Sequence, residues 1–278
     1  AVIIAGLCLL ALLVLGASAV IDSMSTLSAK GFLAEDPSQR IIAELVTPAD
    51  YDTTDKIAVI SIRGVILSEQ SMDMAGSRRI CHELAAARQD PDVVAIVLDM
   101  ETPGGEVTAS DEIHREVRRC SRDNKPVVTC MRSVAASGGY FIAAGSDWIV
   151  ANRMSITGSI GVVIGTTNYK ALFDKIGLEA EVYKSGQMKD MLRGSRERTD
   201  FERAYVQTLV ANAFREFATV VAAGRRRFDT PEDVMEAEFG DGRILTGAEA
   251  MRLGLVDQIG YFDDATAKAL ELAKVPTA

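Results

Sequence analysis

Five short, largely apolar runs separated by stretches of mixed charge constrain this chain more than any other feature. KIAVISIRGVI (56–66), VVAIVLDM (93–100), PVVTCM (126–131), DWIVA (147–151) and GSIGVVIG (158–165) are rich in β-branched residues. A strand that alternates apolar with polar residues keeps one face in water, whereas a nearly continuous apolar run has both faces covered. The segments between them, 78–88, 107–122 and 168–176, carry charged and apolar residues together, with Ile113 and Val117 one helical turn apart. Strand and helix in alternation predict an α/β domain built on a mainly parallel sheet with flanking helices.

The carboxyl-terminal part reads as helical. Thr199-x-x-Glu202 has the pattern of a capping box, and Phe201, Tyr205, Leu209, Ala213 and Phe217 follow at steps of four, a stripe expected to meet the core or another subunit. Thr246-x-x-Glu249 starts a further helix that ends at Gly254. At the other end, AVIIAGLCLLALLVLGASAVI has 21 residues without a charge before Asp22. At about 1.5 Å per residue that run spans the ~30 Å hydrocarbon core of a bilayer, and it reads as a transmembrane anchor over 1–21. Ala17-Ser18-Ala19 would suit a cleaved signal peptide, but the run is longer than such segments usually are. Residues 22–55 are polar and mixed and read as a linker or stalk, leaving 56–278 as the main domain.

Composition excludes several functions. A net charge of −9 leaves no basic footprint for nucleic-acid phosphates. The four cysteines, Cys8, Cys81, Cys120 and Cys130, form no metal-binding spacing and read as small buried hydrophobes, and two histidines are too few for a multi-histidine metal site. No metal or cofactor is expected.

The chemistry concentrates in MRSVAASGGYFIAAG (131–145). Ser137 follows a predicted strand and precedes a predicted helix, a junction where backbone N–H groups point outward. Gly138 and Gly139 let the backbone approach a ligand closely, and the Gly138 N–H is a natural donor to an oxyanion. A second glycine pair, Gly104-Gly105 in ETPGGEV, stands at the carboxyl end of another predicted strand, where α/β folds assemble their sites. The small residues Ala135, Ala136 and Ala143 suit a shallow apolar groove. A serine nucleophile needs a base. His82 and His114 both sit in predicted helices, with His114 on a charged face. A lysine can serve instead where burial lets it be neutral, and YKSGQMKDM (183–191) supplies Lys184 and Lys189.

SVAASGGYFIA, TPGGEVTASDEIHREV, SITGSIGVV and YKSGQMKDM together resemble the signal peptide peptidase A family of membrane-anchored serine/lysine peptidases, in its half-length form. The resemblance runs over about residues 55 to 262 and implies a fold similar to the Clp protease and crotonase folds. It implies Ser137 as nucleophile, Lys189 as general base, Ser159 as the hydroxyl that orients the Lys189 amine, and the N–H groups of Gly105 and Gly138 as the oxyanion hole. Lys184 matches a motif lysine that is not the base. Glu101-Thr102 precedes Pro-Gly-Gly where relatives often have Asp or Asn and Ser, and MLRGSRERTD lacks the proline of many relatives.

The resemblance also implies peptide substrates in extended form, remnant signal peptides above all, and a single-pass protein of the cell membrane with its catalytic domain on the extracytoplasmic (periplasmic) side. It further implies a homo-oligomer, an octamer, with the dyad shared between neighbouring protomers. Three alternatives are a stomatin-partner or other membrane-protein-degrading peptidase, an acyl-CoA enzyme of the crotonase type, and a catalytically silent membrane scaffold.

Overall fold

The structure is a computed structural model that describes residues 55–68 and 75–274. The expected anchor at 1–21, and the expected linker at 22–55 up to its last residue, lie outside the described residues. Among the described residues no helix is long and apolar enough to cross a membrane.

The central sheet confirms the predicted parallel arrangement. Strands β1 (Lys56–Arg63), β4 (Val93–Thr102), β5 (Val127–Ala136), β6 (Trp148–Ala151) and β9 (Gln258–Ile259) pair in the order β1-β4-β5-β6-β9, all parallel. Between β1 and β4 a small parallel pair forms, β2 (Ile66–Leu67) with β3 (Ala75–Gly76). Strand β7 (Ile156–Gly158) continues the sheet beside the far end of β5, and β8 (Ile244–Thr246) closes it as an antiparallel edge. Crossovers run through α1 (Ser77–Gln89), α2 (Val107–Arg122) and the short α3 (Gly138–Ala143).

The pattern of β4 shows why its sequence is nearly all apolar. Ile96, Leu98 and Met100 enter the large core under α1, α2 and α3, while Ala95 and Val97 face α8 (Phe262–Ala273) with Val128, Cys130, Val150, Ala265 and Ala269. Both faces are dry, as a parallel strand requires. The helical end consists of α5 (Asp200–Gly224), α6 (Pro231–Glu236) and α7 (Gly247–Leu253), and each of these starts with a threonine capping box. Two of these boxes are in the sequence reading; the third, at Thr230, has Asp233 where Glu or Gln is usual. Gly254 ends α7 in a left-handed conformation at φ 83°.

Three expectations change. The run 56–66 is divided at Gly64, φ 76°, into β1 and β2. The run 126–131 continues to Ala136, which brings the sheet directly to Ser137. The run 158–165 is not a buried strand: pairing stops at Gly158, and Val163 is 85% and Ile164 40% exposed. The reason is a lack of partners. β5 turns into α3 at Ser137, and the β8 pairing reaches only from Thr246 back to Ile244, so past the Ser159 N–H bond to the Arg243 carbonyl no strand neighbour remains. On α5 only Phe217 of the predicted stripe is buried, while Phe201, Tyr205 and Leu209 are exposed.

Tyr140 ties the centre of the fold to its carboxyl-terminal part: fully buried in α3, its hydroxyl donates to the Leu255 carbonyl at 2.8 Å. Replacing it with phenylalanine leaves that carbonyl without its partner, at a cost of about 1–3 kcal/mol. Chemical denaturation of Tyr140→Phe beside wild type measures the loss, and equal midpoints would refute the role assigned to this bond.

Candidate active site

Three parallel strands end together, and the predicted residues stand just beyond those ends. Thr102 of β4 pairs with Ala135 of β5, and Ala136 pairs with Gly158 of β7. The Pro-Gly-Gly turn, Ser137 and Ser159 therefore leave the sheet on one edge, the carboxyl edge that carries ligands in parallel α/β folds.

Ser137 occupies φ 53°, ψ −121° between strand and helix. An L-residue in such a conformation costs about 1–3 kcal/mol, and the surroundings must impose it. Here its N–H donates to the Gly158 carbonyl at 2.9 Å, and its own carbonyl accepts the Phe141 N–H at 2.9 Å, the first hydrogen bond of α3. Ser159 has φ 51° and donates its N–H to the Arg243 carbonyl at 2.9 Å. The other non-glycine residues with positive φ, Asn124 and Lys274, merely follow or cap helix ends. Both serines singled out in the sequence are thus held in strained backbone away from any helix terminus of that kind.

The glycines permit the close approach that makes a donor pair. A Cβ on Gly104, φ 98°, would lie 2.6 Å from the Gly138 nitrogen and 2.9 Å from the Ser137 Cβ. A Cβ on Gly138 would lie 3.2 Å from the Gly105 nitrogen and 2.4 Å from the Ser110 hydroxyl. Gly105 itself is pressed against β2, where a Cβ would lie 2.0 Å from the Ile66 carbonyl oxygen. Ile66 and the turn exchange hydrogen bonds, Ile66 N–H to Gly104 and Glu106 N–H to Ile66, both at 2.9 Å. The Gly105 and Gly138 N–H groups sit side by side, and neither donates to a neighbouring carbonyl among the described residues. Such a pair is what an oxyanion hole requires.

Two cavities open at Ser137. One, about 120 Å³, is walled by Gly105, Ser110, Gly138, Val163, Ala213 and Phe217; the other, about 450 Å³, shares Ser137 and Val163 with it and is also walled by Ser159, Gln207, Phe214 and Asp241. The structure therefore brings Ser137, Ser159, Gly105 and Gly138 together. Ala135, Ala136 and Ala143 do not line a groove: all three are buried inside the junction. Apolar walls come instead from the 161–163 loop and from α5, whose contribution, like that of Ser110, the sequence reading missed. The step-of-four stripe that contains Ala213 and Phe217 carried that signal.

Lys189 is not among these walls. It lies exposed in the 3₁₀ turn Gln187–Asp190, within a segment over 165–198 that packs little on the rest of the chain. Helix α4 (Lys170–Ile176) in that segment has no buried residue. The second lysine is committed elsewhere: Lys184 Nζ donates to Asp190 at 2.7 Å.

The remaining candidates fall away. His114 packs edge-on against Phe141, with ring centroids 5.3 Å apart, and lines neither cavity. Burial pushes its pKa down to about 4 against an opposing pull from Asp111. Cys120 and Cys130 are buried, Cys81 is half-buried, and burial pushes all three thiols up to about 11. They are packing residues, not thiolate nucleophiles.

Comparison with known proteins fits this geometry. Residues 119–276 match peptidase family S49, and residues 48–176 match Clp protease. A protein of Enterococcus faecium named as signal peptide peptidase SppA is 38% identical over 215 residues, 76% of this chain and 61% of its own length. A protein of Synechocystis named as a protease is 37% identical over 229 residues, 82% of this chain and 78% of its own. Among solved structures, a membrane-bound stomatin-specific protease covers 77% of this chain and 84% of its own at a TM-score of 0.50 and 17% identity, a likeness of fold. This chain spans about three fifths of the Enterococcus protein.

His114 gives a stability test with a definite sign. An unfolded histidine titrates near 6.5 and the folded one near 4, so between those values the unfolded chain binds more protons. This stabilising contribution is complete above pH 6.5 and is lost as pH falls to 4. Thermal midpoints of wild type are expected to drop across that window more steeply than those of His114→Gln; parallel curves would contradict the half-buried neutral imidazole.

Proposed function

Because the chain belongs to peptidase family S49, we propose that it is a serine endopeptidase that hydrolyses extended peptides with a Ser137/Lys189 dyad. The observation that carries this reading is Ser137 itself, held in strained backbone beside the closely packed backbone nitrogens of Gly105 and Gly138, with cavities on its open side.

In the proposed reaction the neutral Lys189 amine removes the Ser137 hydroxyl proton as Oγ attacks the peptide carbonyl carbon. The carbonyl electron pair moves onto oxygen, which the Gly105 and Gly138 N–H groups hold. Collapse of the tetrahedral intermediate breaks the C–N bond, and Lys189 returns its proton to the leaving amine. Water, deprotonated by the same amine, then hydrolyses the Ser137 ester and regenerates the hydroxyl. Ser159, beside the nucleophile on the next strand end, orients the Lys189 amine by a hydrogen bond.

Lys189 stands on an exposed segment away from its own chain's cavities, which favours a dyad completed between neighbouring protomers of a homo-oligomer, an octamer by family resemblance. The uncovered apolar side chains Leu172, Ile176, Leu178 and Tyr183 of the same segment support such assembly. Apolar walls from Val163, Ala213 and Phe217 suit hydrophobic substrate residues, and remnant signal peptides are the substrate class proposed. The uncharged run at 1–21 would anchor the protein in the cell membrane, with the 56–278 domain on the extracytoplasmic face.

Ser137→Ala and Lys189→Ala are each expected to lose about 10³-fold or more of the activity on a hydrophobic signal-peptide-like substrate. Mixing the two inactive proteins after dissociation and reassembly should restore part of it, since each supplies the group the other lacks. Substantial activity in either single variant would refute the dyad, and a mixture that assembles yet stays inactive would refute its sharing.

A further inference from the structure

Lys189 makes no ion pair among the described residues, but the next residue is at the centre of a charged cluster. The Asp190 side chain is only 8% exposed. It accepts from Lys184 Nζ at 2.7 Å and from Arg196 Nε and Nη2 at 2.8 and 2.7 Å. The same guanidinium reaches Glu202, with Nη1 donating to Oε2 at 2.9 Å and Nη2 to Oε1. Glu202 in turn closes the capping box of α5, accepting the Thr199 N–H at 2.8 Å while its own N–H donates to the Thr199 hydroxyl at 3.1 Å. One continuous chain of charge-assisted hydrogen bonds thus joins the Lys189 turn to the first turn of α5, the helix whose later turns wall the Ser137 cavities.

We propose that Arg196, with Asp190 and Glu202, is a positioning unit that fixes the Lys189 turn relative to α5 and so determines where the Lys189 amine is presented. This rests on Lys189 being the general base. Apolar packing cannot do the same work, because α4 and the 3₁₀ turn contain no buried residue. Exposed ion pairs usually contribute little, but here both carboxylates are nearly enclosed and Arg196 grips each through a fork of donors. Arg196 holds the Asp190 carboxyl well below the usual carboxylate range, with help from Lys184, and brings Glu202 down to about 2. The cluster therefore stays charged near neutral pH. It also distinguishes the two lysines of the motif: Lys184 is tied to Asp190 and the Gln187 carbonyl, leaving Lys189 free to act.

The test measures kcat and KM on a hydrophobic signal-peptide-like substrate for the full chain carrying Arg196→Ala, Arg196→Lys, Asp190→Asn or Lys189→Ala. Displacing a reacting group by about 1 Å costs on the order of 10²-fold, so Arg196→Ala and Asp190→Asn are each expected to lower kcat about 10- to 100-fold. KM should stay within about twofold, because the substrate walls are untouched. Arg196→Lys should recover part of kcat, keeping the charge without the fork. Thermal midpoint and assembled size are read alongside, and Asp190→Asn, nearly isosteric, serves if the arginine variants do not fold. Wild-type kcat in folded Arg196→Ala and Asp190→Asn, with Lys189→Ala inactive, would overturn the proposal and leave the dyad standing. A loss shared by kcat and KM together with loss of assembly would also overturn it, making the cluster structural. Activity in Lys189→Ala would instead remove the premise.

Discussion

The hydrogen bond from the Ser137 N–H to the Gly158 carbonyl is the contact on which the site depends. It extends the β5–β7 pairing by one step past Ala136 and holds Ser137 at positive φ just where β5 must give way to α3. Once that geometry is fixed, the glycines follow from distance. Ser137 can turn only if the Pro-Gly-Gly backbone passes within contact of it, and a Cβ at Gly104 would collide with both Gly138 and Ser137. Gly139 answers the same demand on the other side, since a Cβ there would lie 2.7 Å from a Thr102 methyl group. Strain of about 1–3 kcal/mol at Ser137 is tolerable because the junction sits on a dry core of parallel strands.

Away from that edge the physics changes. The sheet is held by burial on both faces, whereas the 165–198 segment is held by polar ties: the Tyr169 N–H to the Gly194 carbonyl at 2.8 Å, Arg198 to the Met191 and Leu192 carbonyls and to Thr166, and the Asp190–Arg196–Glu202 cluster. Its apolar side chains face outward, as do Phe201 and Tyr205 on the adjoining part of α5. A segment organised this way keeps its shape through directional bonds while leaving an apolar surface uncovered by the other described residues. Under the proposed function a second protomer covers it.

Much of this was legible in the sequence where hydrophobic pattern and local structure agree. The alternation of apolar runs with amphipathic segments specified the parallel sheet, and small residues clustered after two strands marked the paired glycine turns. What failed has common causes. Apolar content cannot report whether a strand has a neighbour, so GSIGVVIG reads as buried although the β7 ladder ends at Gly158, with one further bond from the Ser159 N–H to the Arg243 carbonyl. Smallness was misread at Ala135, Ala136 and Ala143, which are small because strand and helix meet there, not because a ligand lies over them. The Arg196 cluster has no periodic signature at all: Asp190 ends a 3₁₀ turn, Arg196 stands in a loop and Glu202 opens α5, six residues apart on either side, and they meet only after the chain folds back.

The division of the site between two kinds of structure has a chemical consequence. A serine hydroxyl poised beside two N–H donors remains a weak nucleophile without a base, however well its oxyanion hole is formed. The strained, core-anchored half of the site therefore does not hydrolyse peptides on its own account in the proposed mechanism, and reactivity waits on the delivery of one amine by a segment stabilised independently of that core. The demands on the two halves are also opposed. The Ser137 junction needs rigidity, set by backbone contacts that admit no side chain. The Lys189 turn needs reach, and a chain of charged hydrogen bonds gives it definition without a buried core of its own.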